Sequence, residues 1–152
     1  MTNPSIKMLG IEKCYGSQMA VQAVDLDLNP GESVALVGHN GAGKTTLMKL
    51  MLGLIRPSAG TVRVLGEDPA ASSAVRARNG VGFLPETIAF NASMTGAEVI
   101  TFFARLKGVP KGEGRDLLAR VGLADAAGKR VGGYSKGMRQ RLGLAQALLG
   151  SP

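Results

Sequence analysis

Eight consecutive residues, Gly38-His39-Asn40-Gly41-Ala42-Gly43-Lys44-Thr45, carry the most explicit chemistry in this chain. They fit the pattern Gly-x-x-x-x-Gly-Lys-Ser/Thr at every required position. A triphosphate needs many short-range donors aimed at one centre, and glycines let the backbone curl until successive N–H groups converge. A helix opening at Lys44 adds its free N–H groups and the positive end of its dipole. Lys44 brings a full charge to the β- and γ-phosphates, the Thr45 hydroxyl is placed to ligate Mg2+, and Thr46 completes the nucleotide-binding run. His39 is the sole histidine but occupies a free position of the pattern, so it is expected to line the loop rather than to act as acid or base.

The loop requires a strand before it and a helix after it. Ser33–Val37 is a continuous apolar run, as a strand buried on both faces would be. Lys44–Ile55 places Leu47, Met48, Leu50, Met51, Leu52, Leu54 and Ile55 nearly all round a helix, which predicts burial between layers and an end at Arg56–Gly60. Upstream, Ser5–Ile11 and Ala20–Leu28 read as strands, the second alternating through Val21, Ala23 or Val24, Leu26 and Leu28; Asn29-Pro30-Gly31-Glu32 is a turn. Downstream come a strand at Thr61–Leu65, a short helix over Ala70–Arg78 and a strand at Val81–Leu84 that stops at Pro85.

Beyond Pro85 the pattern turns helical. Thr95-Gly96-Ala97-Glu98 has the form of a capping box, Val99, Phe102, Phe103 and Leu106 recur at helical spacing, and Gly108-Val109-Pro110 stops the helix. Leu117, Leu118 and Val121 mark a shorter helix; Met138, Leu142, Ala145 and Leu149 mark the last. The expected division is a nucleotide-binding core with an amino-terminal β subdomain over residues 1–85 and a helical subdomain over 86–152.

Composition narrows the classes. The apolar fraction of 45% over 152 residues suits one globular domain. A net charge of +7 favours polyanionic partners or is simply a solvated surface. One cysteine, Cys14, excludes an intramolecular disulfide. No stretch reaches ~18 uninterrupted apolar residues, so none spans a bilayer as a helix.

Three more segments resemble one family. Tyr134-Ser135-Lys136-Gly137-Met138-Arg139-Gln140-Arg141-Leu142 is similar to the signature motif of ABC-type ATPases, usually Leu-Ser-Gly-Gly-Gln before a basic helix; Ser135 and Gly137 match, while Tyr134, Lys136 and Met138 depart. Tyr15, before Gly16, resembles the aromatic residue that stacks on adenine. Gly82-Phe83-Leu84-Pro85-Glu86 resembles the strand entering the Q-loop, with Glu86 where a glutamine is usual. Ser135 could equally be a plain N-cap, Tyr15 a strand-end core residue and Glu86 a surface loop residue.

The resemblance implies an α/β fold: a P-loop NTPase core of the ABC ATPase kind, with an antiparallel β subdomain, a helical subdomain, and the carboxy-terminal part absent. It implies ATP and Mg2+ as cofactors, with Thr45 and Glu86 toward the metal and Lys44 and Glu86 assisting. Ser135, Lys136, Gly137 and Met138 would bind the ATP held by the opposite subunit of a homodimer. Transmembrane permease subunits would be partners, no nucleic acid is expected, and the location would be cytoplasmic, on the inner face of the cell membrane. The runs from Gly38 to Thr46, Phe83 to Glu86, Phe103 to Gly108 and Tyr134 to Gly150 are further similar to the ATPase subunits of ABC transporters serving copper-site maturation of nitrous oxide reductase. The resemblance also places an apolar strand ending in Asp-Glu just after Pro152, so the 152 residues are expected to be part of a longer protein, inactive in hydrolysis and unstable alone. A soluble ABC-type switch on the ribosome and a P-loop kinase or GTPase are the competing classes.

Overall fold

The computed structural model describes residues 3–152, with residue 111 in backbone only. The chain forms two compact units, Met1–Arg78 and Asn79–Pro152.

In the first unit, strands β1 (Ile6–Tyr15), β2 (Gln18–Leu28) and β3 (Ala59–Val64) form an antiparallel sheet in the order β2-β1-β3. Met8 stands opposite Leu26 on one side and Val62 on the other. Helix α1 (Lys44–Met51) packs on β2 and β3. The buried side chains here include Met8, Ile11, Val21, Val62 and Val64 of the sheet and Leu47 and Leu50 of α1. Met8 and Ile11 are three residues apart, which strict alternation would send to opposite faces. A register shift between them restores both to the core. It is held by the Gly10 N–H donating to Asp25 Oδ1 at 2.6 Å, with Gly10 and Ala23 at φ 55° and 46°. Of Ala23 and Val24, the latter therefore keeps the inward alternation, and Ala23 is exposed. A short helix α2 (Val75–Asn79) follows β3.

In the second unit, α3 (Gly96–Lys107), α4 (Lys111–Arg120) and α5 (Lys136–Ala147) pack together, with 3-10 turns at Ala124–Ala126 and Val131–Gly133. Their core gathers Val99, Ile100, Ala104, Leu117, Leu118, Leu123, Leu142, Ala145 and Leu149. The capping box is formed at both ends: Glu98 N–H donates to Thr95 Oγ1 at 3.2 Å, and Thr95 N–H to Glu98 Oε2 at 2.7 Å. Gly108 ends α3 in the left-handed region.

Four sequence expectations change. Ser33–Val37 and Val81–Leu84 are not strands: no described residue pairs with either, and a strand exists only through its ladder. Val34, Leu36 and Val37 are exposed, Val37 by 88%. Helix α1 ends at Met51 and buries only Leu47 and Leu50 fully, because one face meets the sheet while Met48 faces outward. The inward stripe of α3 is Val99, Ile100 and Ala104 with Phe103 packed beside them; Phe102 and Leu106 lie one step round the helix and are exposed.

Glu98 gives a testable pH dependence. Its carboxyl is held below the ordinary value of 4.5, chiefly by the Thr95 backbone N–H and then by the Thr95 side chain. A folded-state value below the unfolded one means stability present above pH ~4.5 and lost as pH falls through the folded value. In urea melts, Glu98→Gln keeps a neutral acceptor at the same place. The midpoint gap between wild type and variant should be full at neutral pH and close on acidification.

Candidate functional site

Gly38 to Thr45 bends round the amino end of α1. Gly43 is the N-cap at φ 84°, a left-handed conformation that a side chain strains. A Cβ there would also overlap the Ala20 carbonyl oxygen of β2, so only glycine lets the loop press this close to the strand. Leu47 N–H donates to Gly43 O at 2.8 Å, and Ala42 N–H to His39 O at 3.2 Å. The first-turn N–H groups of Lys44, Thr45 and Thr46 have no intrahelical acceptor, as at any helix start. Lys44 curls back within the loop, its Nζ donating to Gly38 O at 2.5 Å and His39 O at 2.8 Å. Gly38, His39, Asn40, Gly41 and Ala42 are exposed, as is Thr45. His39 Nδ1 sits 2.8 Å from Asn40 O, a local contact.

These features fit a polyphosphate: N–H donors at a helix start and an ammonium lie within one exposed loop. They fit Mg2+ through one protein oxygen, the Thr45 hydroxyl. Among the described residues no group of three or more His, Cys, Asp or Glu could hold a metal by itself.

Tyr15 lies on the same unit. It is 48% exposed at the end of β1, not in the core, and pairs with Gln18. Gln18 precedes by two residues the Ala20 carbonyl against which Gly43 rests, about 7 Å along one strand. The hairpin thus sets an exposed aromatic ring and the phosphate loop on one short stretch of β2. Lys13, which the sequence reading passed over, holds its ammonium 5.3 Å from the Tyr15 ring centroid. The i, i+2 spacing on a strand was the signal available for it.

The remaining candidates belong to the second unit. Ser135 caps α5, its Oγ accepting the Met138 N–H at 3.2 Å. Lys136 and Gly137 are exposed; Met138 turns its side chain to the helical core. Glu86 and Gly137 line one groove of about 580 Å³ with Leu84, Ile88, Gln140 and Arg141. Arg141 also donates to the carbonyls of Val121 and Gly122, at 3.2 and 2.9 Å. Tyr134, a departure from the usual signature leucine, is 3% exposed, and its hydroxyl donates to Ala126 O at 2.6 Å. Burial pushes its phenol up from the ordinary value. Gly96 makes room for that hydroxyl, since a Cβ there would collide with it.

The sequence and fold together define a domain of the P-loop NTPase class. Residues 21–152 match the ABC transporter family model, and the chain belongs to that family. It is 46% identical over 152 residues to the uncharacterized ABC transporter ATP-binding protein YxlF of Bacillus subtilis, covering 95% of this chain and 50% of that protein. It is 37% identical over 148 residues to the bacitracin transport ATP-binding protein BcrA of Bacillus licheniformis, covering 97% and 48%. A solved ATP-binding subunit of an ABC transporter superposes with a TM-score of 0.86 at 28% identity, covering 97% of this chain and 62% of that one. The fold is that of the ABC-type P-loop NTPases, an antiparallel sheet with helices, and the chain spans about half the length of the curated relatives it matches.

Removing the loop's charge tests the site. In the full-length protein, Lys44→Ala should weaken MgATP binding by about ten- to a hundredfold, the range for lost charge-assisted bonds. Gly43→Ala should weaken it as well, through loop displacement. Calorimetric titration reads both, and unchanged affinity in Lys44→Ala would remove the assignment.

Proposed function

We propose that the whole protein binds and hydrolyses MgATP to drive a membrane permease. The phosphate loop carries this reading: Lys44 is wrapped by Gly38 and His39 carbonyls at an uncovered helix start. In it, Gly38, His39, Asn40, Gly41, Ala42, Gly43, Lys44, Thr45 and Thr46 bind the phosphates and Tyr15 stacks on adenine. Thr45 would ligate Mg2+, and Glu86 is assigned to the same ion, directly or through water. When bound, such an ion would supply positive charge against that building on the phosphates.

Ser135, Lys136, Gly137 and Met138 are assigned to the nucleotide of a second copy, in a head-to-tail homodimer sandwiching two ATP molecules. The exposed amino end of α5 supports that assignment. Among the described residues no helix is long and apolar enough to cross a membrane, so the translocation path is assigned to separate permease subunits and the ATPase to the cytoplasmic face. Relatives named for bacitracin transport and Nod factor export support a transporter over a ribosome-bound switch.

The finer reading is a role in copper-site maturation of nitrous oxide reductase. It rests on similarity to NosF in the runs Gly38–Thr46, Phe83–Glu86, Phe103–Gly108 and Tyr134–Gly150.

Two outcomes are expected. The whole protein co-purifies with a permease and hydrolyses ATP. Nitrous oxide reductase isolated from a strain lacking the gene is copper-poor by elemental analysis. A full copper complement would exclude the maturation role and leave the ATPase reading standing.

A further inference from the structure

We infer that Lys13 is a positioning residue for the nucleotide base, holding the Tyr15 ring with one face covered and the other free to stack. The inference rests on the reading of Tyr15 given above. The Lys13 ammonium lies 5.3 Å from the ring centroid, within the range of a cation–π contact. It is not a loose surface charge, because its Nζ also donates to the Arg56 carbonyl at 2.8 Å.

Arg56 is itself fixed. Two residues on, Ser58 N–H donates to Glu12 O at 2.8 Å, and Ser58 Oγ accepts the Cys14 N–H at 3.1 Å. The segment entering β3 is thus laced to the last residues of β1, and Lys13 is the side chain passing from that lacing to the ring. Tyr15 stands at the hairpin end, 48% exposed, where little else restrains it. A base stacking on a free ring must freeze it; on a clamped ring that entropy is already spent. With the cation over one face, a base has a single face to approach.

Lys13 contributes to base binding in this scheme, not to phosphate binding, and the test separates the two. The full-length protein is titrated with MgATP and with magnesium tripolyphosphate, which has no base. Lys13→Met should weaken MgATP by about two- to tenfold, the range for one side chain's ordering, and leave tripolyphosphate unchanged. Lys13→Arg, which keeps a cation over the ring, should restore the MgATP value. In a Tyr15→Ala background, Lys13→Met should do nothing further. Equal losses for both ligands would make Lys13 a general surface charge and overturn the inference, as would no loss for either. Unchanged tripolyphosphate affinity also shows that the variant is folded. Should Tyr15→Ala itself leave the ratio of the two affinities unaltered, the stacking reading fails and the inference falls with it. If only the Lys13 variants are silent, the stacking reading survives alone.

Discussion

Backbone donors left without partners at the start of α1 are the constraint round which the first unit is built. Buried N–H groups are almost always paired, so a phosphate cradle has to be assembled at the surface and kept from collapsing on itself. The left-handed Gly43 and its contact with the Ala20 carbonyl turn the chain from loop to helix against β2. The helix is then held by Leu47 and Leu50 on the sheet. Lys44 bonds to two carbonyls of its own loop, which keeps an ammonium at the centre of the curl. The sheet's register shift at Gly10 and the lacing of Ser58 to β1 place the same strands so that Tyr15 stands at the hairpin end.

The second unit solves a different problem. Its helices end in carbonyls that need donors, and cationic side chains supply several of them. Lys107 donates to Leu149 O at 2.8 Å and Val81 O at 3.3 Å; burial pulls its ammonium down from the ordinary lysine value, with Glu113 opposing. Arg141 serves the carbonyls after α4, and Arg139 that of Tyr134. The basic residues beside the signature segment therefore tie α5 into the helical core. Bonds to neutral carbonyls fix where these cations sit but leave the +7 charge in place.

What the sequence made legible was what is decided locally. The phosphate loop, the capping box at Thr95 and Glu98 and the stop at Gly108 depend on residues within a few positions of one another, and each is formed. The helices after Pro85 were readable from apolar spacing. Ser33–Val37 and Val81–Leu84 were misjudged because a strand is defined by a neighbour, which a single run of side chains does not disclose. The inward stripe of α3 was placed one step off because adjacent stripes satisfy the same 3.6-residue period. Tyr134 looked like a flaw in a motif; only the packed structure shows its hydroxyl on Ala126 and the gap left by Gly96. Of the candidate site, the residue types and the loop were visible, while Lys13 over Tyr15 and the Glu86 groove beside α5 required three dimensions.

The two halves of the nucleotide pose different recognition problems. Main-chain N–H groups and a lysine grip phosphates whatever base follows them. Stacking on a flat ring tolerates every base, because each has a π-face. On the proposed reading, loop and Tyr15 together fit a ligand with a triphosphate and an aromatic base, and neither distinguishes adenine from guanine. Strong discrimination needs hydrogen bonds to the base edge, which a wrong base would leave unpaired. The exposed end of the β1–β2 hairpin carries the Ser17 hydroxyl and the Gln18 amide as groups of that kind, whereas the Lys13 ammonium lies over a ring face, not beside an edge. On that reading affinity is set chiefly by phosphates and stacking, and any choice between bases by this unit would fall to Ser17 and Gln18.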